Sequence, residues 1–411
     1  MNVLPKGWVD TTLGEVCRVE YGKGLSANQR TESGAVPVVG SAGVIGRHSV
    51  SLVPGPVIVI GRKGNAGAIH LLRDACWPID TTYFVRVPPP FDPAFLAYQL
   101  RDAQLRSLDS STAVPSLRRP DLEACPLLVA PIREQQRIVA VIEEQFSRLD
   151  AGSSALTSAE RRVNHLKAAA MVRALSGDWP LKSLSDVTED QTYGSSAKAT
   201  DDHEDGMPIV RMGNIQGGQV DLSAGVKFLP RDDPDASKFA LRRGDLLFNR
   251  TNSPELVGKS AVYSGEDGAA CFASYLIRVR LTDACDPRWV ALYLNSPAGR
   301  RWAASVRTQQ VGQANINGTK LAALPLPLPP VEEQARRLHE YERQTTIAQS
   351  LSRSIESALA RSNALRRAIF ARAFSGRLVS QDPPDEPAPE LLARITSARA
   401  DAPKLRQRQR A

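Results

Sequence analysis

Residues 133–175 contain no proline and one interior glycine, and they read REQQRIVAVIEEQFSRLDAGSSALTSAERRVNHLKAAAMVRAL. A second segment, residues 332–375, contains neither residue type and reads EEQARRLHEYERQTTIAQSLSRSIESALARSNALRRAIFARAFS. At 1.5 Å per residue, each segment can form one helix about 65 Å long. Proline-marked stretches, residues 124–131 and 324–330, precede the two segments, and proline disfavours helix in the residue before it. The sequence therefore predicts two long helices, each entered from an extended stretch.

Apolar and small residues recur along both segments in alternating steps of four and three, which is typical of the core positions of a coiled coil. Several positions of this seam are small or polar, so one helix alone is marginal and we expect the two to pair, in antiparallel orientation. Such pairing would place the two globular regions at opposite ends of one rod. The alternative is two amphipathic helices, each packed on its own domain. The principal predicted seam residues are Ile138, Ile142, Leu149, Leu156, Val163, Leu166, Tyr341, Leu351, Ile355, Leu365 and Ile369.

The rest of the chain repeats itself. Residues 8–16 match residues 179–187 at an offset of 171, and from residue 122 onward the copies match at a constant offset of 199. The second copy is therefore 28 residues longer, and the insertion falls in its globular part, around residues 201–205 and 217–238. Loops absorb insertions at low cost, whereas a helix that must keep register with a partner cannot. A period this long indicates the duplication of one large unit rather than a solenoid.

Each copy opens with short β-type runs broken by Gly, Pro and Asn, followed by helical patterns that start at an Asp-Pro pair. The strand candidates are residues 57–60, 83–87, 245–248 and 275–279, and the short helices are expected over residues 93–108 and 287–306. In the comparison of the copies, Tyr83 aligns with Tyr275 at an offset of 192. These patterns predict an α+β fold with two similar globular domains of α/β type, related as an internal pseudo-two-fold repeat. The expected divisions are residues 1–131, 132–178, 179–330, 331–377 and a tail, residues 378–411.

Composition limits the function class. The 411 residues are 42% hydrophobic and 23% charged, with a net charge of +8 and no apolar run of membrane-spanning length, so a soluble cytoplasmic protein is expected. The five cysteines never form Cys-x-x-Cys, which indicates reduced and mostly buried thiols rather than a zinc site or a disulfide framework. The positive charge fits a nucleic-acid partner only weakly, because residues 331–378 carry much of the excess.

Signatures of catalysis are missing from the sequence. The histidines stand apart without His-Glu-x-x-His, and residues 61–67 lack the lysine and hydroxyl residues that end a phosphate-binding loop. Residues 252–255 differ from the Asn-Pro-Pro-aromatic motif of adenine methyltransferases, because the second proline and the aromatic residue are absent. The sequence therefore favours a non-catalytic protein with no cofactor or metal of its own.

Four features in this order resemble the specificity subunit of Type I restriction-modification systems across essentially the whole chain. They are the openings at Trp8 and Trp179 followed by Leu-x-[Glu/Asp]-Val, the loop GRKGNAG at residues 61–67, the stretch PLPLPPVEEQ at residues 325–334, and the run FSGRLVSQDPPDEPA from residue 374. The resemblance implies two target recognition domains, each reading one half of a split DNA sequence, and helices that set the spacing and dock modification subunits. It also implies double-stranded DNA and two modification subunits as partners, S-adenosylmethionine bound on those subunits, and no membrane. Whether restriction (translocase or endonuclease) subunits join the complex stays open.

Candidate DNA contacts are polar and basic side chains on glycine-rich or turn-rich loops, where the backbone can approach phosphates and a long side chain can reach a base edge. Such glycines also make ordinary turns, so each residue has a structural alternative. The candidates are Ser41, Arg62, Lys63 and Asn65 in the first domain and Arg211, Asn214, Arg250, Asn252 and Lys259 in the second.

Two other function classes remain as alternatives. A self-sufficient DNA methyltransferase or nuclease would need a catalytic domain, and two readers with two helices already account for the chain. A structural coiled-coil adaptor is disfavoured by the diverged glycine-rich loops. The tail is expected to be partly disordered, with one short helical pattern over residues 390–399 and a basic end, residues 404–410, that is mobile or contacts a partner.

Overall fold

The computed structural model describes residues 4–31, 33–108, 115–201, 206–310 and 312–401. The chain divides into two compact units. Unit 1 comprises Met1–Leu156 and Glu356–Ala411, and unit 2 comprises Thr157–Ile355. Each unit therefore contains one of the two globular regions and about half of each long helix.

The first globular region consists of short strands, three short helices and two 3₁₀ turns before the first long helix. Its elements are β1 (Val9–Thr12), α1 (Leu13–Val16), β2 (Val19–Tyr21), β3 (Val36–Gly40), β4 (Gly43–His48), β5 (Val57–Gly61), β6 (Ile69–Leu72), β7 (Trp77–Pro78), β8 (Thr82–Arg86), α2 (Pro93–Asp102), α3 (Arg119–Glu123) and β9 (Pro126–Val129), followed by the long helix α4 (Ile132–Leu175).

The second globular region repeats this layout with additional strands. Its elements are β10 (Leu181–Ser183), β11 (Thr188–Tyr193), β12 (Gly206–Val210), β13 (Ile215–Gln216), β14 (Gln219–Val220), β15 (Lys227–Pro230), α5 (Pro234–Lys238), β16 (Leu246–Asn249), β17 (Thr251–Asn252), β18 (Ser260–Val262), β19 (Cys271–Phe272), β20 (Leu276–Leu281), α6 (Pro287–Asn295), α7 (Pro297–Val306), β21 (Thr308–Gln310), β22 (Gln313–Asn315), α8 (Gly318–Ala322) and β23 (Pro325–Pro327), followed by α9 (Val331–Ala373) and α10 (Ala388–Asp401).

The central sheet of unit 1 has the strand order β2-β8-β5-β6, and that of unit 2 contains the same order as β11-β20-β16-β18. Strands β5 and β16 are buried along their whole length, as their continuous apolar sequence predicts. Antiparallel pairing of β1 with β9, and of β10 with β23, closes each region next to a long helix. The predicted α+β class and the internal repeat are confirmed.

The insertion in the second copy contributes β13, β14 and α5, whereas β15 takes the place of β4, because the sheet β15-β12-β19 repeats the pairings of β4-β3-β7. Strands β13 and β14 form a hairpin through Gly217 and Gly218, which have φ values of +58° and +80°, the left-handed conformation that tight hairpin turns require. This hairpin extends the central sheet beyond β18. Residues 202–205 of the predicted insertion lie outside the described residues.

Both short helices start at their Asp-Pro pairs but end earlier than predicted. Asp92 and Asp286 accept backbone N–H groups in the first turn, as N-cap residues do. Helix α2 ends at Asp102 because Gln104 adopts a φ of +46°, and residues 105–108 form a 3₁₀ turn instead. The segment predicted as one helix over residues 287–306 is two, α6 and α7, because Pro297 disfavours helix in the preceding residue.

The two long helices are antiparallel neighbours within each unit. In unit 1, Ser153 contacts Ser362 and Phe146 packs on Phe370, so residue numbers rise along α4 as they fall along α9. In unit 2, Lys167 donates to Ser352. Their ends also join the domain cores, where Ile138 and Ile142 pack with the first domain and Leu338 with the second. None of the helices in the described ranges combines the length and the apolar character needed to cross a membrane.

The predicted seam residues differ in burial, and three leucines among them lie at exposed positions. Ile138, Ile142, Val163 and Ile355 are buried, and Leu149, Leu156, Tyr341 and Ile369 are half-buried. Leu166, Leu351 and Leu365 are 61%, 45% and 53% exposed.

Two physical reasons account for these exposed positions. An α-helix has 3.6 residues per turn, so a strict heptad drifts by about 20° per repeat, and over the four heptads from Ile138 the contact position moves from Leu166 to Lys167. On α9 the true contact positions are polar, because Ser352 and Arg366 make the contacts to α4. An apolar pattern selects the neighbouring leucines instead.

Residues 378–401 of the tail fold onto unit 1, and α10 covers the short helical pattern expected over residues 390–399. Leu391 and Ile395 of α10 are buried in the same core cluster as Leu13 and Val16 of α1. The Asp385 carboxylate, almost fully buried, pairs with the Arg137 guanidinium at 2.7 Å. Apolar residues at i and i+4 give α10 one face to bury, and the domain offers a surface for it. The basic end, residues 404–410, lies outside the described residues.

Candidate nucleic-acid interface

The candidate loop of the first domain follows β5 and is shaped by its glycines. A Cβ atom at Gly61 would overlap the carbonyl oxygen of Asn65, so only glycine allows the chain to fold back at this point. Gly64 and Gly67 have φ values of +75° and +77°, which side chains rarely adopt. Because of this tight turn, the Lys63 and Asn65 side chains are exposed.

The loop lies beside the tip of the β3–β4 hairpin. The Ser41 hydroxyl at that tip is 3.7 Å from the Cβ position of Gly64, and the Ser41 carbonyl lies 3.1 Å from His70 Nε2. The structure therefore brings together Ser41, Arg62, Lys63 and Asn65, which the sequence predicted separately. Two cations and two neutral polar side chains at one edge form a surface suited to an anionic polymer.

Arg62 is held against aromatic rings. Its Cζ atom lies 5.2 Å from the centroid of the Tyr21 ring and 5.8 Å from that of Tyr83, within the range of cation–π attraction. One guanidinium nitrogen donates to the Asp80 carbonyl at 3.1 Å. Burial raises the pKa of Tyr83, whose hydroxyl donates to the Leu117 carbonyl. The guanidinium is thus fixed at the base of the loop and is half-buried.

Arg250 of the second domain is placed in the same way, directly after β16. Its Cζ atom lies 4.8 Å from the centroid of the Tyr193 ring, and one guanidinium nitrogen donates to the Ser274 carbonyl at 3.4 Å. In the segment that follows, the carbonyls of Glu255 and Val257 accept hydrogen bonds from the Arg300 guanidinium.

The two tyrosines are functional candidates that sequence reasoning missed. Tyr21 ends β2 and Tyr193 ends β11, and the rings are 50% and 41% exposed. Each is followed by a glycine, Gly22 or Gly194, at which a Cβ atom would overlap the backbone at the end of β7 or β19. A Tyr-Gly pair that recurs at an offset of 172 was the signal that could have found them.

The remaining polar candidates of the second domain have different surroundings. Asn214 is buried and acts in a turn, because its Oδ1 accepts from the Arg211 N–H and its Nδ2 donates to the Asp221 carbonyl. This geometry corrects its choice as a DNA contact, since both ends of the amide are occupied. Asn252 accepts from the Ser253 N–H, and both Arg211 and Asn252 are half-buried.

Lys259 lines a cleft of about 770 Å³ in unit 2. The β13–β14 hairpin, α6, and the unit-2 segments of α4 and α9 form its walls. Two other cations, Lys167 and Arg288, lie in it, but Arg288 is paired with Asp286 and with Glu342 at 2.7 and 3.0 Å. Lys259 is therefore a cleft residue, although its carbonyl accepts from the N–H of Asn249, the residue before Arg250, at 2.9 Å.

The cysteines behave as the sequence predicts. All five are free and buried, and burial raises the pKa of Cys76 to about 11 and that of Cys271 and Cys285 to about 12. Such thiols stay protonated and react slowly at neutral pH. Among the described residues, no group of three or more His, Cys, Asp or Glu side chains is arranged to hold a metal ion.

Comparison with known proteins agrees with this architecture. The chain is 24% identical over 319 residues to the Type I restriction enzyme EcoKI specificity subunit of Escherichia coli K12, covering 74% of this chain and 68% of that protein. It is 23% identical over 384 residues to the StySPI specificity subunit of Salmonella potsdam, covering 88% and 82%.

Two solved structures share the fold. One chain, from work on complex assembly and conformational transition of the type I R-M system, matches with a TM-score of 0.71 and 20% identity over 92% of this chain and 100% of that one. The HsdS subunit from Thermoanaerobacter tengcongensis matches with a TM-score of 0.52 and 20% identity over 91% and 98%. The family model of the Type I restriction modification DNA specificity domain matches residues 5–158 and again residues 176–358. With two copies of that domain covering most of its length, the chain belongs to the Type I restriction-modification DNA specificity family.

Proposed function

We propose that this chain is the DNA-recognition subunit of a Type I restriction-modification complex, in which residues 1–131 read one half of a bipartite target and residues 179–330 read the other. The observation that carries the proposal is the repeated strand order of units 1 and 2, combined with different loops after β5 and β16. Duplicated readers with different loops bind different half-sites. The target is therefore asymmetric, and the distance between its halves is part of the signal.

The long helices act as the spacer and as the dock for two modification subunits. In unit 2, Leu166 and Leu351 are exposed directly beside the Lys167–Ser352 contact between α4 and α9. Ile347, one turn before Leu351, is exposed as well. Apolar side chains outside a helix pair that already has its own seam are suited to a protein partner. Restriction (translocase or endonuclease) subunits would join through the modification subunits.

In this proposal, the partner subunits carry out the catalytic reaction. The chain recognises DNA and supplies no catalytic group, while the modification subunits bind S-adenosylmethionine and transfer its methyl group. A self-sufficient methyltransferase or nuclease would show activity as the purified chain, and a structural adaptor would show no sequence preference in the complex.

The test is selection from random-sequence duplexes by the full chain co-purified with its modification subunits, together with methylation mapping. We expect one bipartite sequence with a fixed gap. The double substitution Lys63→Ala with Asn65→Ala should change base preference in one half only, and Arg211→Ala with Asn252→Ala in the other half only. Arg18→Ala removes an exposed cation from the first domain and is the matched control. Recovery of a continuous sequence, or loss of preference in both halves from one domain's variant, would contradict the proposal.

A further inference from the structure

The backbone around Arg62 in unit 1 is repeated around Arg250 in unit 2. The Arg62 N–H donates to Thr81 at 2.9 Å, and its carbonyl accepts from the Leu117 N–H at 2.9 Å. The Arg250 N–H donates to Tyr275 at 3.0 Å, and its carbonyl accepts from the Ile316 N–H at 2.9 Å. The acceptors Thr81 and Tyr275 are 194 residues apart. The donors Leu117 and Ile316 are 199 residues apart, which is the offset that relates the two copies from residue 122 onward.

The side chains are repeated too. The Arg62 guanidinium donates to the Asp80 carbonyl, and the Arg250 guanidinium donates to the Ser274 carbonyl. These two acceptors are also 194 residues apart. Each also lies over the ring of a half-exposed tyrosine, Tyr21 or Tyr193, that ends the first strand of its sheet. An arginine, its tyrosine and its carbonyl acceptor thus occupy the same place in two domains whose loops have diverged.

Neither arginine forms a salt bridge with a residue that the structure describes. Other arginines on the same sheets do, since Arg86 pairs with Glu20 at 2.6 Å and Arg280 with Asp245 at 2.8 Å. In Arg250, the buried Nε atom also has no hydrogen-bond partner. Each domain therefore presents one oriented cation whose charge is not neutralised by the protein, beside the loop that carries its candidate contacts.

An arginine that is placed in the same way in both domains is suited to a part of the DNA that is the same in both half-sites. Residues that read bases must differ between different half-sites, and the accessible neighbours of these arginines do, because Lys63 is replaced by Thr251 and Asn65 by Ser253. The phosphate backbone is the same in both half-sites and carries no sequence information. Guanidinium groups bind phosphate oxygens in pairs of hydrogen bonds.

We propose that Arg62 and Arg250, each oriented by its tyrosine, contact a DNA phosphate in the corresponding half-site and act as sequence-independent anchors rather than base readers. This inference rests on the proposed DNA-recognition function. It assigns these two of the candidate residues to positioning and leaves base reading to the divergent side chains around them.

The experiment measures DNA affinity of the complex of full chain and modification subunits as a function of salt concentration, on the selected target duplex and on a duplex of unrelated sequence. The variants are Arg62→Gln, Arg250→Gln and the double variant. Each single variant should weaken binding to both duplexes by about tenfold and reduce the slope of log affinity against log salt by about 0.9. The double variant should reduce the slope by about twice that amount, with the preferred sequence unchanged.

Two controls separate the explanations. Arg86→Gln removes a cation of the same sheet that is already paired with Glu20, and it should leave the slope unchanged. Arg62→Lys and Arg250→Lys keep the charge and should keep a slope close to that of the wild type, even if a glutamine variant folds poorly. An unchanged slope in a glutamine variant with intact thermal unfolding would show that the arginine contacts no phosphate, and an altered base preference at one position would assign base reading; either result overturns the inference. A wild-type complex without sequence preference refutes the proposed function itself, which is a different outcome.

Discussion

Replacing Leu391 of α10 by alanine tests whether the tail belongs to the folded domain. The Leu391 side chain is fully buried in the core of unit 1, one helical turn before the buried Ile395. The helix begins at Ala388, whose N–H donates to the Gly7 carbonyl at 2.8 Å. Docking of α10 therefore rests on two large apolar side chains, a backbone bond and the ion pair at Asp385.

The magnitude follows from this burial. A buried Leu→Ala change costs about 2–5 kcal/mol, and the lower part of the range applies where the surroundings can relax. Helix α10 lies near the end of the described chain, so it can detach while the sheet stays folded, and the loss is limited to the free energy of docking. A loss of about 3 kcal/mol corresponds to an increase of about a hundredfold in the detached population.

Native-state amide hydrogen exchange measures that population directly. In Leu391→Ala, the amides of α10 should lose about a hundredfold in protection, whereas those of β5 and β8 should change little. Leu365→Ala is the matched control, because it removes the same atoms from an exposed position of α9 in the same unit. The docking would be refuted by unchanged protection of α10 in Leu391→Ala, or by an equal loss in the control.

Three further predictions concern packing and charge. In unit 2, Ile355→Ala should destabilise the helix pair by about 2 kcal/mol, and Leu351→Ala, at an exposed position, by less than about 0.5 kcal/mol. Denaturant titration measures both values, and equal effects would show that Leu351 lies in the seam, as the heptad pattern predicts. Gly194→Ala should lower the thermal midpoint, since its Cβ would overlap the Phe272 carbonyl, whereas Gly213→Ala meets open space and should not. Burial raises the pKa of Glu134 above the usual 4.5, although the hydrogen bond from the Trp8 indole N–H and the positive charge of Arg137 act to lower it. The folded protein therefore binds more protons between the two pKa values, and stability should fall as pH rises through the folded pKa; Glu134→Gln should remove this slope from a pH series of unfolding curves, and an unaltered slope would assign it to other groups.

The sequence predicts the elements of this protein better than the positions at which they meet. The absence of proline together with the apolar spacing predicts α4 and α9, because nothing in either segment interrupts the backbone hydrogen bonds and one face can be buried. The seam depends on side chains, and Lys167 and Ser352 meet there through a hydrogen bond that no apolar pattern reveals. The sequence predicted a short helix in the tail, but its docking could not be foreseen because the surface that receives α10 is made by residues distant in sequence.

At β8 and β20, the sequence match between the two copies differs from the structural match by two residues. Sequence similarity aligned Tyr83 with Tyr275, but the sheet ladders pair Tyr21 with Tyr83 and Tyr193 with Ile277. The structural counterpart of Tyr83 is therefore Ile277, two residues further along. This shift obscures the correspondence between Tyr21 and Tyr193, which the hydrogen-bonded partners make clear.

The polar contacts between the helices bear on the spacer proposal. In unit 1, Arg366 of α9 pairs with Asp150 of α4 at 2.6 Å and lies over the Phe146 ring, with the Ser153–Ser362 contact one turn away. An all-apolar seam would be more stable, but it would tolerate a slip of one helical turn, about 5.4 Å, with little loss. Such a slip breaks the ion pair, the ring contact and the serine contact together. Polar seam positions of this kind fix one register at some cost in stability, and a defined register is what a helix pair needs if the separation of two DNA half-sites depends on it.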